Sequence, residues 1–281
     1  MKVMEIGVFL TNLGINDLVQ ALKKAKEMGF SKVHLGPETY DGYSAPSKKE
    51  ELKKALKEID IEATTVFIGF HGEDYSDVPT VQRTAGFGVK ENLRERIEFA
   101  KKVCDFTSDL GVKIVAAHVG FIPEDENSPM YRQMFDSISE VVDYAAQKGL
   151  IFSFETGQEK PETLLNFIKK INFKNVMINF DTVNLMLYGK AKSIDGISIL
   201  RDYIINVHIK DGYWPKEKDK IGDQAPIGKG EADIRGCIKK LAMIGYKGPL
   251  IIEREGGEDR IKDILEAKKF VEGVKKEIGI I

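Results

Sequence analysis

Two rhythms of apolar residues take turns along this chain. Short runs rich in Ile, Val, Phe and Thr read as strands, and they alternate with longer stretches whose apolar positions recur every three or four residues, the period of a helix with one buried face. The first run covers residues 5–10, and Asn16 is placed to cap a helix ending near Met28, where Gly29 supplies the stop. Lys32–Leu35 reads as the second strand, and Ser47 with Glu50 has the spacing of a capping box for the helix that follows. Residues 62–67 form a third strand, with β-branched Thr64, Thr65 and Val66. Residues 69–89 carry glycines and no clear period, and read as a lid. A helix over 90–110, a strand over 113–118 and a helix opened by Ser128-Pro129 and running to Lys148 come next. Residues 149–157, GLIFSFETG, are a fifth strand and its exit turn, followed by a helix over Pro161–Ile171. Val176–Asp181 is a sixth strand with a short helix at 196–201, and residues 204–208 are a seventh, followed by a long loop over 212–231 and a helix over 233–244. Residues 250–253 and a helix over 260–276 complete the series.

Eight strand–helix units with largely non-alternating strands, as in parallel sheets buried on both faces, predict an α/β fold: a single (β/α)8 TIM barrel. A chain of 281 residues is long for one domain, but such barrels reach this size and no stretch reads as a linker, so residues 1–281 are expected to form one domain.

The chemistry gathers at the strand exits. Alternation along the fifth strand sends Phe152 and Phe154 to one side and Ile151, Ser153 and Glu155 to the other, so Glu155 ends that strand. The next three strands end on Asp181, His208 and Glu253. A closed parallel barrel brings all C-terminal strand ends to one mouth, so residues spaced 26, 27 and 45 positions apart converge. Three carboxylates and an imidazole suit one divalent cation, with Mn2+ first and Co2+, Mg2+ or Zn2+ also compatible. Ser153, Asn179 and Asn206 each lie two residues before a candidate ligand and are expected to form a polar layer that orients the ligands; Ile251 breaks that pattern in the last strand.

Composition narrows the partners. The formal charge of −2, with charges of both signs well mixed, argues against a dedicated nucleic-acid or membrane-surface protein. No apolar stretch is long enough to span a bilayer, and the first residues read as a strand with no signal-peptide pattern, so a cytoplasmic location is expected. Cys104 and Cys237 lie far apart within helical patterns and read as plain buried thiols.

The segments FETGQE, NFDTVNLMLYG, VHIKDG and IGYKGPLIIEREGG resemble the sugar isomerase/epimerase members of the xylose isomerase-like barrel superfamily. That superfamily includes D-tagatose 3-epimerase-related ketose epimerases, inosose dehydratases and, more distantly, endonuclease IV. The resemblance implies that Glu155, Asp181, His208 and Glu253 bind one divalent metal and that Glu155 and Glu253 flank the substrate as an acid/base pair. It also implies a small sugar or polyol substrate and self-association into dimers or tetramers.

The same pair follows from the chemistry of epimerisation. A base must remove the proton α to a sugar carbonyl from one face, and an acid on the opposite face must return one to invert the centre. The expected activity is thus isomerisation or epimerisation through an enediolate. An inosose-type dehydratase, in which a β-hydroxyl leaves instead, is the alternative, and a metal-dependent hydrolase or nuclease, or a non-catalytic sugar-binding barrel, ranks behind it.

Around the ligands, His118, Gln158, Asn184, Lys210 and His71 are candidate substrate contacts. His118 and His71 are equally readable as structural hydrogen-bonding groups, Lys210 as a surface charge, and His34 reads as structural. Arg254, of opposite strand parity to Glu253, is expected to support the barrel rim, and Trp214 to wall the pocket or lie buried under its loop. Ketose 3-epimerases typically carry a histidine three residues after the metal-binding aspartate; this chain has Asn184 there, which removes one of their sugar contacts. A trinuclear nuclease site is not expected: four histidines in all, and none in 212–231, fall short of the histidine-rich cluster of endonuclease IV. The glycines near 227–230 and 86–88 lack the spacing of phosphate or dinucleotide loops.

Overall fold

A computed structural model describes residues 3–280. Eight parallel strands close into a barrel: β1 (Ile6–Phe9), β2 (Lys32–Leu35), β3 (Glu62–Ile68), β4 (Ile114–Ala117), β5 (Ile151–Glu155), β6 (Val176–Asp181), β7 (Ile204–Ile209) and β10 (Leu250–Ile252). Each pairs with its neighbours in sequence, and β10 closes on β1 through Ile6 opposite Leu250 and Val8 opposite Ile252. The remaining two strands, β8 (Asp211–Gly212) and β9 (Gln224–Ala225), form an antiparallel ribbon inside the stretch expected to be loop.

The barrel is wrapped by α1 (Leu18–Glu27), α3 (Pro46–Ile59), α5 (Leu93–Leu110), α6 (Pro129–Gln147), α7 (Pro161–Ile171), α9 (Ser193–Leu200), α10 (Ile234–Met243) and α11 (Arg260–Glu277). Short helices α2 (Glu38–Tyr43), α4 (Val78–Thr84) and α8 (Asn184–Leu187) sit in the loops at the strand exits. The large apolar core fills the layer between barrel and helices: Phe152, Phe154 and Phe180 point outward and are fully buried against Phe167, Leu164 and Ile197 among others. Burying aromatic surface of this size is the dominant favourable term for such a shell. A second, smaller cluster of Phe9, Phe67, Ala116 and Ile251 plugs the barrel interior.

Several helix starts differ from the sequence expectation for local reasons. Helix α1 is capped by Asp17, not Asn16, because the Asp17 carboxylate accepts from Gln20 N at 2.8 Å. Pro46 opens α3 with Ala45 as its cap, which places Ser47 inside the first turn, where it cannot close a capping box. Helix α5 starts at Leu93, since Asn92 adopts a left-handed conformation (φ 57°).

The segment expected to be a lid is ordered by polar contacts. Asp77 caps α4 by accepting from Thr80 N, and Glu73 accepts from Phe70 N at 3.1 Å and Gly86 N at 2.8 Å. Arg96 donates to the carbonyls of Gly86 and Thr84, and Val78 N reaches Asp219 O in the loop after β7 at 3.0 Å. Gly86 has φ +62°, and a Cβ there would lie 2.1 Å from the Val119 backbone. Gly86→Ala is therefore expected to lower the free energy of unfolding by about 2 kcal/mol or more, read from the urea midpoint; an unchanged midpoint would show that this anchoring is dispensable.

Candidate functional site

Four strands deliver four side chains to one point. Ligand-type atoms of Glu155, Asp181, His208 and Glu253 all lie within 4.8 Å of one another, and all four residues are buried. Register explains the convergence: Asp181 pairs with His208 across β6 and β7, with a bulge at Ile205 on β7, and His208 pairs with Ile251, two residues before Glu253. Beyond Glu155 the chain must turn sharply. At Gly157 (φ +149°) a Cβ would meet Asn184 Cβ at 2.6 Å, so only glycine lets the β5 exit lie against α8.

His208 turns its Nδ1 toward the carboxylates, 3.1 Å from Glu155 Oε1, 2.9 Å from Glu253 Oε2 and 4.0 Å from Asp181 Oδ2. Its ring is stacked on Phe67 and meets Phe9 edge-on. Asn179 donates to Glu155, as the expected polar layer requires, but Asn206 donates across the barrel to Thr65 Oγ1 at 2.8 Å and Ser153 Oγ has no partner. Thr156 Oγ1 accepts from Asp181 N, while Asp181 Oδ1 accepts from the backbone N–H groups of Val183 and Asn184 at 2.7 Å each. The other carboxylate oxygen, Asp181 Oδ2, is buried without a hydrogen-bond partner among the described residues.

Packing three carboxylates together out of water is costly unless positive charge compensates them. Burial, more than the neighbouring carboxylates, pushes the Asp181 carboxyl up to about 7 even though Lys210 opposes the shift. Burial alone would lower the His208 pKa, but Glu155 and Glu253 outweigh it and raise the imidazole to about 10. Burial likewise disfavours the charged form of Glu253, yet Lys210 and His208 hold that carboxylate well below its ordinary range. Lys210 Nζ is 2.8 Å from Glu253 Oε2, 3.0 Å from Glu255 Oε2 and 3.5 Å from Asp181 Oδ2. An orphaned carboxylate oxygen beside two more carboxylates and an imidazole nitrogen is a donor set that can hold a divalent cation.

Glu155, His208 and Glu253 of this cluster line a cavity of about 650 Å3, with Asp181 buried behind them. Phe9, Phe67, Ile68, Leu187 and Tyr188 give it apolar walls, and Tyr75, Ser76 and Glu73 of the segment before α4 cover it. A xylose isomerase-like TIM barrel model matches residues 22–273. The chain belongs to that family. A xylose isomerase domain protein from Planctomyces limnophilus superposes with a TM-score of 0.90 at 29% identity, covering 99% of each chain. A D-tagatose 3-epimerase-like protein superposes with a TM-score of 0.76 at 22% identity, over 98% of this chain and 100% of the other. The L-ribulose-5-phosphate 3-epimerase UlaE of Escherichia coli is 23% identical, covering 100% of this chain and 98% of its own.

Within this family member, the sequence-selected residues divide. His118, Asn184 and Lys210 line the central cavity with Glu155, His208 and Glu253, and His118 Nδ1 is buried there without a partner. Gln158 instead lines a neighbouring cleft of about 350 Å3 with Glu159 and Lys190. His71 is exposed outside the central cavity, 3.5 Å from Asp41. Arg254 bonds Asp263 at the rim, as expected, and Trp214 is half-buried outside the central cavity. Asp211, next to Lys210, shapes the loop by accepting from the backbone N–H groups of Gly212, Gly228, Gly230 and Ala232.

Sequence reasoning missed Glu255, Tyr75 and the role of His34. Glu255 carries a signal in hindsight, since two residues beyond Glu253 keeps strand parity. His34 Nδ1 lies 2.9 Å from His208 Nε2, both residues being buried, and burial, then the neighbouring His208, holds the His34 imidazole well below the ordinary histidine pKa.

Glu159 gives the site's surroundings a pH signature. Burial raises its carboxyl from 4.5 to about 8 despite Lys190 nearby. The folded chain then keeps a proton that the unfolded chain has released, so this residue costs stability as pH rises from about 4.5 to about 8. Glu159→Gln is expected to raise the melting temperature relative to wild type at pH 8 but not at pH 4.5; an equal effect at both would show that the carboxyl is not perturbed.

Proposed function

We propose that this protein is a divalent-metal-dependent isomerase that moves a proton within a small sugar or polyol ketone, by epimerisation or aldose–ketose isomerisation. The observation that carries the reading is the convergence of Glu155, from β5, and Glu253, just beyond β10, on His208 Nδ1, at 3.1 and 2.9 Å, where all three residues line one cavity. The UlaE relative, named as a 3-epimerase of a ketose phosphate, supports the reaction class.

Glu155, Asp181, His208 and Glu253 would hold the ion. When bound, a divalent cation such as Mn2+ supplies Lewis acidity toward the substrate oxygens and offsets charge that develops on an enediolate. The chain's own groups do the proton work. One glutamate takes the proton α to the carbonyl, the other returns a proton from the opposite side, and the roles exchange in the reverse direction. Asn179 fixes the Glu155 carboxylate, and Lys210 keeps Glu253 ionised, so the pair is held in different electrostatic surroundings. His118 and Asn184 supply polar contacts for substrate hydroxyls, and the apolar wall of Phe9 and Phe67 excludes water from one side of the cluster.

Proton NMR of ketoses, aldoses and inososes in D2O tests this reading. Loss of the α-proton signal in the presence of Mn2+, abolished by chelator, is the expected result; a dehydrated dicarbonyl product would instead identify a lyase, and no exchange with any sugar would defeat the enolisation mechanism. Glu155→Gln should fold normally and lose the exchange by about 100-fold or more, and near-normal turnover would remove Glu155 from the acid/base pair. His208→Ala should lose most of its bound metal on dialysis, and unchanged metal content would remove His208 from the ligand set.

A further inference from the structure

We infer that His34 is the positioning residue of the metal centre, accepting a hydrogen bond through Nδ1 from His208 Nε2–H and thereby fixing the tautomer and ring plane in which His208 presents Nδ1 to an ion. The inference rests on the reading of Glu155, Asp181, His208 and Glu253 as ligands.

Geometry leaves little freedom. Nδ1 of His208 faces the carboxylates, so it is the nitrogen that would ligate, and its lone pair must then be free. The proton of a neutral His208 therefore sits on Nε2, which is buried and needs an acceptor. His34 Nδ1, 2.9 Å away, is that acceptor. It follows that the proton of a neutral His34 is on Nε2, an atom that is buried with no hydrogen-bond partner among the described residues.

Three features show that this contact is built rather than incidental. The β2–β3 ladder shifts register between Val33 and His34, so His34 pairs with Thr65, whose side chain faces the barrel interior and accepts from Asn206. Strand β2 is three places from β7 around the barrel, so the His34 side chain spans the interior to meet its partner. Phe9 and Phe67 pack against both imidazoles and hold them in one arrangement. A buried imidazole with an unsatisfied N–H is an expensive space filler, and an aliphatic side chain would fill the same volume without that cost. A neutral acceptor also adds no negative charge beneath three carboxylates, where an outer carboxylate would.

His34→Leu removes the acceptor, and His34→Gln can restore one through its amide oxygen. For the full-length protein, titration calorimetry with Mn2+ is expected to show affinity about 10–100-fold weaker for His34→Leu and largely recovered in His34→Gln. Long-range 1H–15N spectra of the metal-free wild type are expected to show His34 protonated on Nε2 and unprotonated on Nδ1, a readout that no folding defect in a variant can disturb. Wild-type affinity in a folded His34→Leu, equal losses in both variants, or a proton on His34 Nδ1 would each overturn the inference. A wild type that binds none of Mn2+, Co2+, Zn2+ or Mg2+ would overturn it together with the ligand assignment, whereas metal binding without sugar turnover would leave it standing and defeat only the proposed reaction.

Discussion

Charge compensation at the barrel mouth is the constraint on which the rest of this structure depends. Glu155, Asp181 and Glu253 are brought within reach of one another out of water, and no fold does this cheaply. Two cationic side chains offset the cost, His208 at the centre and Lys210 on one side, and each is tied into the surrounding frame. The result is a cluster whose members set one another's protonation: burial pushes Asp181 up, while the close partners Lys210 and His208 hold Glu253 down and Glu155 and Glu253 raise His208. A divalent ion placed among these oxygens would offset the cost of keeping Asp181 charged out of water, so the burial that raises Asp181 is also what makes the site receptive to a cation.

Much of this was legible in the chain. Strand parity places Glu155, Asp181, His208 and Glu253 on the inner face at strand ends, and eight strand–helix units closing into a barrel make those ends meet, so the quartet follows from periodicity and topology together. The residues that escaped did so because their position depends on something periodicity does not encode. His34 and His208 are separated by 174 residues and meet only because a bulge in the β2–β3 ladder and closure of the barrel bring their rings together. Gln158 follows Glu155 closely in sequence, yet the turn at Gly157 carries it into the neighbouring cleft. His71 lies beyond β3 in the expected lid, but the chain there leaves its side chain on the outer surface. Short elements escaped as well: α4 buries only Val81, and the β8–β9 ribbon pairs two residues with two, too little apolar pattern for either to announce itself.

The loops show how a barrel assigns structure and chemistry to different atoms of neighbouring residues. Lys210 and Asp211 are adjacent and both buried, but the ammonium turns to the carboxylate cluster while the Asp211 carboxylate gathers four backbone N–H groups and sets the course of the loop. Glu253 and Arg254 divide in the same way: Glu253 faces His208, and Arg254 bonds Asp263 on α11 while its backbone N–H is held by Asn12. One-residue alternation is thus used at these two strand exits to hold a side chain of the charged cluster and a supporting one in consecutive positions.

The barrel interior beside the charged cluster is part polar, part apolar. Phe9, Phe67, Ala116 and Ile251 form an apolar plug next to the polar groups Thr65, Asn179 and Asn206, and its two aromatic rings contact the imidazole of His208. Such a plug does two things at once. It excludes water from one side of the cluster, which strengthens the charge interactions there, and it locks the orientation of the one candidate ligand that is a ring, because rotating His208 would require displacing Phe67. Stability and reactivity are commonly set against one another at active sites, but here the same aromatic contacts serve both: the residues that fill the barrel are those that aim Nδ1 at the carboxylates.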